Sequence, residues 1–182
     1  MPFNRDLERI LPTLAALVNT GPEVSGVETL GDLDEIRDFV SAYIITEVEP
    51  PNAAEIPKLH RLRRQLRAVF AAPDEDQMIE QVNALLSAAP IQPRLTDHDD
   101  LGLHIHYFPP YASLTDHLAA DCAMALAELL ETGESSRLRI CAAPDCIRAF
   151  IDFSRNRSRL YCDSQTCGNR LHAAAYRARQ RA

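Results

Sequence analysis

Cys141, Cys146, Cys162 and Cys167 form two Cys-x4-Cys pairs separated by fifteen residues. No other feature restricts the folds open to this chain as much. Two close cysteine pairs at a fixed separation let a short, loop-rich segment gather four thiolates around one tetrahedral ion. The segment they occupy, Arg137–Ala182, is too short and too poor in large apolar side chains to fold well unaided. A bound metal supplies the missing folding free energy, because unfolded chain has no preformed site. Disulfides or free thiols are the other uses of such cysteines. The chain opens directly into a charged amphipathic stretch, Asn4–Val18, without a secretory signal pattern. That predicts a reducing cytoplasmic setting, in which such spacings bind metal. The expectation is one structural Zn2+ held tetrahedrally by four cysteines.

Charge divides the chain in the same place. The net formal charge is −7, yet from Arg137 onward ten arginines face three acids and no lysine, a balance of +7. The residues before Arg137 balance at −14. An acidic domain over residues 1–134 and an arginine-rich finger over residues 135–182 are therefore expected. The basic part suits a polyanion, since it can displace counterions from phosphates. No apolar run approaches the ~20 residues of a membrane span.

The acidic part reads as mainly helical with one β-hairpin. Leu7, Ile10, Leu11, Leu14, Leu17 and Val18 make an apolar stripe, kinked or restarted at Pro12 and broken by Gly21–Gly26. Asp32 with Glu35 resembles a capping box opening a helix that buries Leu33, Ile36, Phe39, Val40 and Tyr43. A helix from about Glu55 turns Leu59, Leu62, Leu66, Val69 and Phe70 inward and shows Arg61, Arg63, Arg64 and Arg67 to solvent. Pro73-Asp74 starts another, burying Ile79, Val82, Leu85 and Leu86. Arg94–Asp97 and Leu101–Phe108 then read as two strands around an Asp99-Asp100 turn. His104 and His106 share one face of the second strand, and His98 can lie across from them. A second metal or proton-handling site is one reading. The polar face of a half-exposed hairpin is the other, favoured because no cysteine or carboxylate stands at ligand-like spacing beside them. Thr115–Glu131 is the clearest helix, with Gly133 as its cap and Cys122 as a buried structural thiol.

The finger segment reads as treble-clef-like. Leu138–Ile140 leads into a knuckle at Cys141–Cys146, Phe150, Ile151 and Phe153 leave it, and Arg155–Arg159 turns back to Cys162. A helix from Ser164 carries Cys167 in its first turn, where the positive helix end favours a thiolate. Its narrow apolar stripe is Leu171, Ala174, Ala175 and Ala178, flanked by Arg170, Arg177 and Arg181 on one side and by His172 and Arg179 on the other. Arginine throughout favours bidentate contacts to phosphates and guanine edges.

Cys167-Gly168-Asn169-Arg170 is the signature of the CGNR zinc-finger family, which the chain resembles across Cys141-x4-Cys146, Phe150, Asp152, Ser154-Arg155-Asn156, Cys162 and Ala175–Arg179. Leu17-Val18-Asn19-Thr20 is similar to the start of the ABATE domain that precedes these fingers. The resemblance implies zinc on Cys141, Cys146, Cys162 and Cys167, a role in stress-induced transcription regulation, and nucleic-acid contacts by the surrounding arginines. Two positions depart from the family pattern. Tyr161 stands where tryptophan is common, and Leu171-His172 stand where a lysine is usual. Asn169 is read as a structural residue that satisfies backbone groups near the helix start.

The resulting expectation is a cytoplasmic, zinc-containing regulator that binds double-stranded DNA through Arg155, Arg157, Arg159, Arg170, Arg177 and Arg181. One finger with few base-reading side chains binds weakly, so a homodimer through the N-terminal domain is expected. A protein-interaction module built on structural zinc and a zinc-thiolate redox sensor are the alternatives. An enzyme is not expected: four cysteines close the coordination sphere, and no nucleophile elbow, phosphate loop or His-Glu metalloprotease spacing occurs.

Overall fold

The computed structural model describes residues 5–97, 102–162, 164–170, 173 and 177. The first helix, α1 (Arg5–Val18), buries every residue of the expected stripe. It runs unbroken through Pro12, which lies on the exposed side. One missing N–H is tolerated there because packing, not propensity, holds the helix. The glycine break that follows contains a single helical turn, α2 (Pro22–Ser25), which begins on proline and closes on Gly26 at a φ of 82°.

Caps define the next helices. At α3 (Leu33–Ala42) the Asp32 carboxylate accepts from the backbone N–H groups of Asp34 and Glu35, each at 2.9 Å. Glu35 reaches back to Gly31 N–H at 2.6 Å, closing the box one residue early. Asp74 accepts from Gln77 N–H at 2.8 Å and opens α5 (Glu75–Ala88). Here the inward face includes Met78, whereas Ile79 is 41% exposed, against expectation. Ser113 caps α6 (Leu114–Glu131), and Gly133 follows it in the left-handed region. The α6 helix packs against α1, α5 and α4 (Glu55–Phe70).

The exposed arginine face expected on α4 is incomplete. Arg63 is buried, and its guanidinium donates to both Glu28 oxygens at 2.7 and 2.8 Å and to Thr20 Oγ1 at 3.2 Å. The Arg63 bond, ahead of all other causes, pulls the Glu28 carboxyl down to about 2. Glu55, at the start of α4, is also buried. It accepts from Thr115 N–H at 2.9 Å and from its hydroxyl at 2.7 Å, satisfying the N-terminus of α6 from another helix.

The expected hairpin forms, but inside out. Strands β1 (Arg94–Asp97) and β2 (Leu103–His106) pair antiparallel, with Arg94 opposite His106 and Thr96 opposite His104. His104 and His106 share a face, as the period requires, yet that face is buried. The apolar side chains Leu95, Leu103 and Ile105 are exposed instead. The inner histidines are tolerated because each is hydrogen-bonded, and Phe108 and His117 supply stacked rings beside them. His98 and the Asp99-Asp100 turn lie outside the described residues.

A second hairpin, β3 (Leu138–Ile140) with β4 (Ala149–Ile151), carries the cysteine knuckle at its tip. Leu138, Ala149 and Ile151 pack into the same apolar core as the helices. Asn19 seals this junction. Its buried side-chain amide donates to Ala149 C=O at 2.8 Å and to Ala15 C=O at 2.6 Å, and its carbonyl accepts from Ala149 N–H at 2.9 Å. Among the described residues, no helix is long and apolar enough to cross a membrane.

Candidate metal centre

Backbone bonds shape the knuckle before any metal is considered. Cys141 N–H donates to Arg148 C=O at 2.9 Å, closing the loop across its base, and Cys146 N–H donates to Ala143 C=O at 3.1 Å. Ala142 N–H donates to Leu160 C=O at 2.9 Å, which draws the returning strand and its Cys162 against the knuckle. Cys167 comes from a wide helical turn over Ser164–Gly168 that Asn169 and Arg170 continue as α-helix.

All four sulfurs lie within 4.8 Å of one another. Cys146 and Cys162 Sγ are 3.7 Å apart, and Cys162 and Cys167 Sγ are 3.9 Å apart. A tetrahedral zinc with Zn–S bonds of about 2.3 Å needs sulfur–sulfur edges of about 3.8 Å. The cluster fits one structural Zn2+. Protonation chemistry agrees with that donor set. Burial pushes the Cys162 thiol well above its ordinary value, and bonds from Cys146 and Cys141 push it further. Burial also leads at Cys146, which is raised. At Cys141 burial acts in the same direction but is outweighed by backbone N–H groups of Cys162 and Ala143, and the thiol is lowered. A divalent cation inverts this balance, since coordinated thiols lose their protons.

The surrounding polar groups are structural. Arg170 makes a two-pronged pair with Asp145, at 2.6 and 2.7 Å, and donates to Cys167 Sγ at 3.8 Å. It thereby clamps the helix of the last cysteine to the knuckle that holds the first two. Asp152 is fully buried and accepts from Ser154 and Arg159 N–H, each at 2.8 Å, ordering the turn between them. Burial pushes its carboxyl up, but these bonds prevail and hold it below the usual range. Buried Arg137 donates to the carbonyls of Asp152 and Ser154 at 2.7 and 2.8 Å.

The arginines expected to meet nucleic acid fall into three groups. Arg155 and Arg177 are exposed and have no partner among the described residues. Arg157 pairs with Glu134 at 2.8 Å, Arg159 donates to the Tyr161 and Cys162 carbonyls, and Arg170 is held by Asp145. Arg181 lies outside the described residues, as do Leu171, His172, Ala174, Ala175, Ala178 and Arg179. Asn169 is exposed, and its side chain has no hydrogen-bond partner among the described residues, so the capping role expected for it is not seen. Arg148, exposed beside Cys146, is a cation that the sequence reading passed over. Cys122 is fully enclosed, burial pushes its thiol up, and it stands apart from the cluster, as expected for a structural cysteine. His104 and His106 belong to no metal-holding cluster among the described residues.

A knuckle, a short hairpin and a helical turn carrying the fourth cysteine define a small four-cysteine zinc finger, here seated on a helical body. Residues 137–180 match the CGNR zinc-finger family. Residues 11–133 match the ABATE family, described as "Putative stress-induced transcription regulator". That match spans most of the chain, and the protein belongs to this family as a zinc-binding regulator. No curated protein matches the chain.

Proposed function

We propose that the protein is a DNA-binding transcription regulator whose finger, residues 135–182, contacts duplex DNA through arginines, with residues 1–134 as a regulatory and assembly domain. The observation that carries this reading is the pair of exposed arginines, Arg155 and Arg177, without partners among the described residues, in a segment of balance +7. Unpaired guanidiniums release counterions when they meet phosphates, and those already paired must first exchange partners. Arg157, Arg159, Arg170 and Arg181 complete the proposed surface. The zinc ion on Cys141, Cys146, Cys162 and Cys167 holds this surface in shape and takes no part in chemistry. A single finger with few base-reading side chains recognises a site weakly, so the working form is a homodimer joined through the N-terminal domain, in the cytoplasm.

Fluorescence anisotropy of the zinc-loaded protein with mixed duplex DNA across a salt series tests this. Binding is expected to weaken steeply with salt, and an Arg155→Gln/Arg177→Gln double variant is expected to lower the log–log slope by roughly 2. Absent binding at low salt, or a slope unchanged in the variant, contradicts it. The ion pairs of Arg157 with Glu134 and Arg170 with Asp145 favour a second reading, a partner-docking module whose arginines serve its own scaffold. Flat salt dependence selects that reading.

A further inference from the structure

A side chain of the helical body reaches the cysteine knuckle. Arg67 stands in the last turn of α4, a helix that packs against α1, α5, α6 and β3. Its Nη2 donates to Ile147 C=O at 2.6 Å, across 80 residues of sequence. Ile147 directly follows Cys146, and the next carbonyl, that of Arg148, accepts from Cys141 N–H at 2.9 Å. The guanidinium therefore grips the chain between two metal ligands. Among the described residues no carboxylate pairs with Arg67, and its Nη1 is buried without a hydrogen-bond partner. A surface tether would leave that nitrogen in water. Burying it unpaired costs free energy, which asks for a reason.

The peptide that Arg67 engages supplies one. Ile147 C=O and Arg148 N–H are the two ends of a single planar, trans amide, and so point in opposite directions. Arg67 occupies the oxygen end. The N–H end is hydrogen-bonded to the Cys146 thiol, where burial pulls upward first and this bond is the foremost influence against it. A cation on the oxygen draws electrons along the amide and makes its N–H a stronger donor, as linked hydrogen bonds polarise one another. The positive charge on α4 is thereby felt at the sulfur through the amide.

Four thiolates on one divalent ion leave a net negative charge, which surrounding donors and cations stabilise. Arg170 serves the Cys167 side directly, 3.8 Å from its Sγ, and belongs to the finger. Arg67 serves the Cys146 side through the amide, and belongs to the body.

We propose that Arg67 is a positioning residue of the zinc site: through the Ile147–Arg148 amide it strengthens the hydrogen bond to the Cys146 thiolate, so that the helical body sets how tightly the finger holds its metal. A displacement of α4 then loosens the metal without touching a cysteine. This stands apart from the DNA reading, and its test contains no DNA, so either can fail alone.

The test is a series at Arg67 in the full chain. Arg67→Met removes both charge and bond, Arg67→Gln keeps a neutral donor, and Arg67→Lys keeps the charge. Zinc affinity is measured by competition with a chromogenic chelator, and zinc release by stopped flow. Expected are a roughly tenfold loss of affinity in Arg67→Met with release faster by a similar factor, a roughly threefold loss in Arg67→Gln, and near-parent values in Arg67→Lys. A tie that only holds the loop in place would give Arg67→Gln the parent affinity. Cobalt(II) in place of zinc gives a second readout. A weaker N–H bond raises the energy of the sulfur donor electrons, so the thiolate-to-cobalt charge-transfer band should move to longer wavelength in Arg67→Met and Arg67→Gln but not in Arg67→Lys. The thermal transition of the body, unchanged throughout, reports folding, and the polar Gln and Lys variants decide the matter if Arg67→Met fails to fold. Parent affinity in Arg67→Met or Arg67→Gln, a lysine variant as weak as the methionine one, or an unmoved cobalt band in Arg67→Gln each overturns the proposal.

Discussion

Leu11, Leu14, Leu66, Leu126 and Leu129 are enclosed completely where α1, α4 and α6 meet, whereas the buried apolar cluster at the cysteine end, among the described residues, is Cys141, Ala143 and Cys167. The body gains its stability from apolar area removed from water. The knuckle has almost none to remove, and relies on backbone hooks, the Arg170–Asp145 clamp and a metal ion. Between them lies the β3–β4 hairpin, whose Leu138, Ala149 and Ile151 belong to the body's core although its tip belongs to the zinc site. Metal dependence should therefore stop partway along the finger, at about the ends of these strands.

The strongest way to break this contrast is to remove the metal. Chelation, or Cys162→Ser, is expected to melt residues 141–148 and 152–170, withdrawing folding free energy on the order of 10 kcal/mol from that segment. The helical signal and thermal transition of the body should persist, as read by circular dichroism and by residue-level hydrogen exchange. Leu126→Ala tests the other half. A cavity at this fully buried site should cost the body about 3 kcal/mol in denaturant unfolding and leave zinc stoichiometry at one.

Arg63→Ala should follow closely at about 3 kcal/mol, because it strands the Glu28 carboxylate beside α4. The same pair has a pH signature. The Glu28 carboxyl is depressed in the folded state, so its contribution is present above its ordinary value of 4.5 and is lost as pH falls toward about 2. Acid titration of stability in the parent and in Glu28→Gln should differ within that window. Asn19→Ala is smaller, about 2 kcal/mol, and sharper in location: hydrogen exchange should quicken at Ala149 and the end of α1. Arg170→Gln should leave melting unchanged and speed zinc loss to a chelator, since only the clamp on the metal turn is removed.

Much of this contrast was legible in the residues. The cysteine spacing reports the metal site because ligand geometry constrains sequence locally, and the Asp32–Glu35 box, the Asp74 start and the α6 stripe are likewise set within a few positions. What was missed depends on partners far along the chain. Arg63 meets Glu28 thirty-five residues away, Glu55 meets Thr115 sixty away, and Asn19 meets Ala149 across 130. No local pattern marks an arginine or asparagine as buried when its partner is that distant. The first hairpin failed differently. A period of two shows that His104 and His106 share a face, yet leaves open which face turns inward. The hydrogen bond of His104 with the Gly102 carbonyl and the one between the two rings decided it against hydropathy.

The measurement that bears most directly on this account is zinc-edge X-ray absorption on the full chain, with metal content determined on the same sample. One zinc per chain with four sulfurs at about 2.3 Å is the result the account predicts. A coordination shell containing nitrogen or oxygen, or a folded chain whose four cysteines are paired as disulfides without zinc, would contradict it.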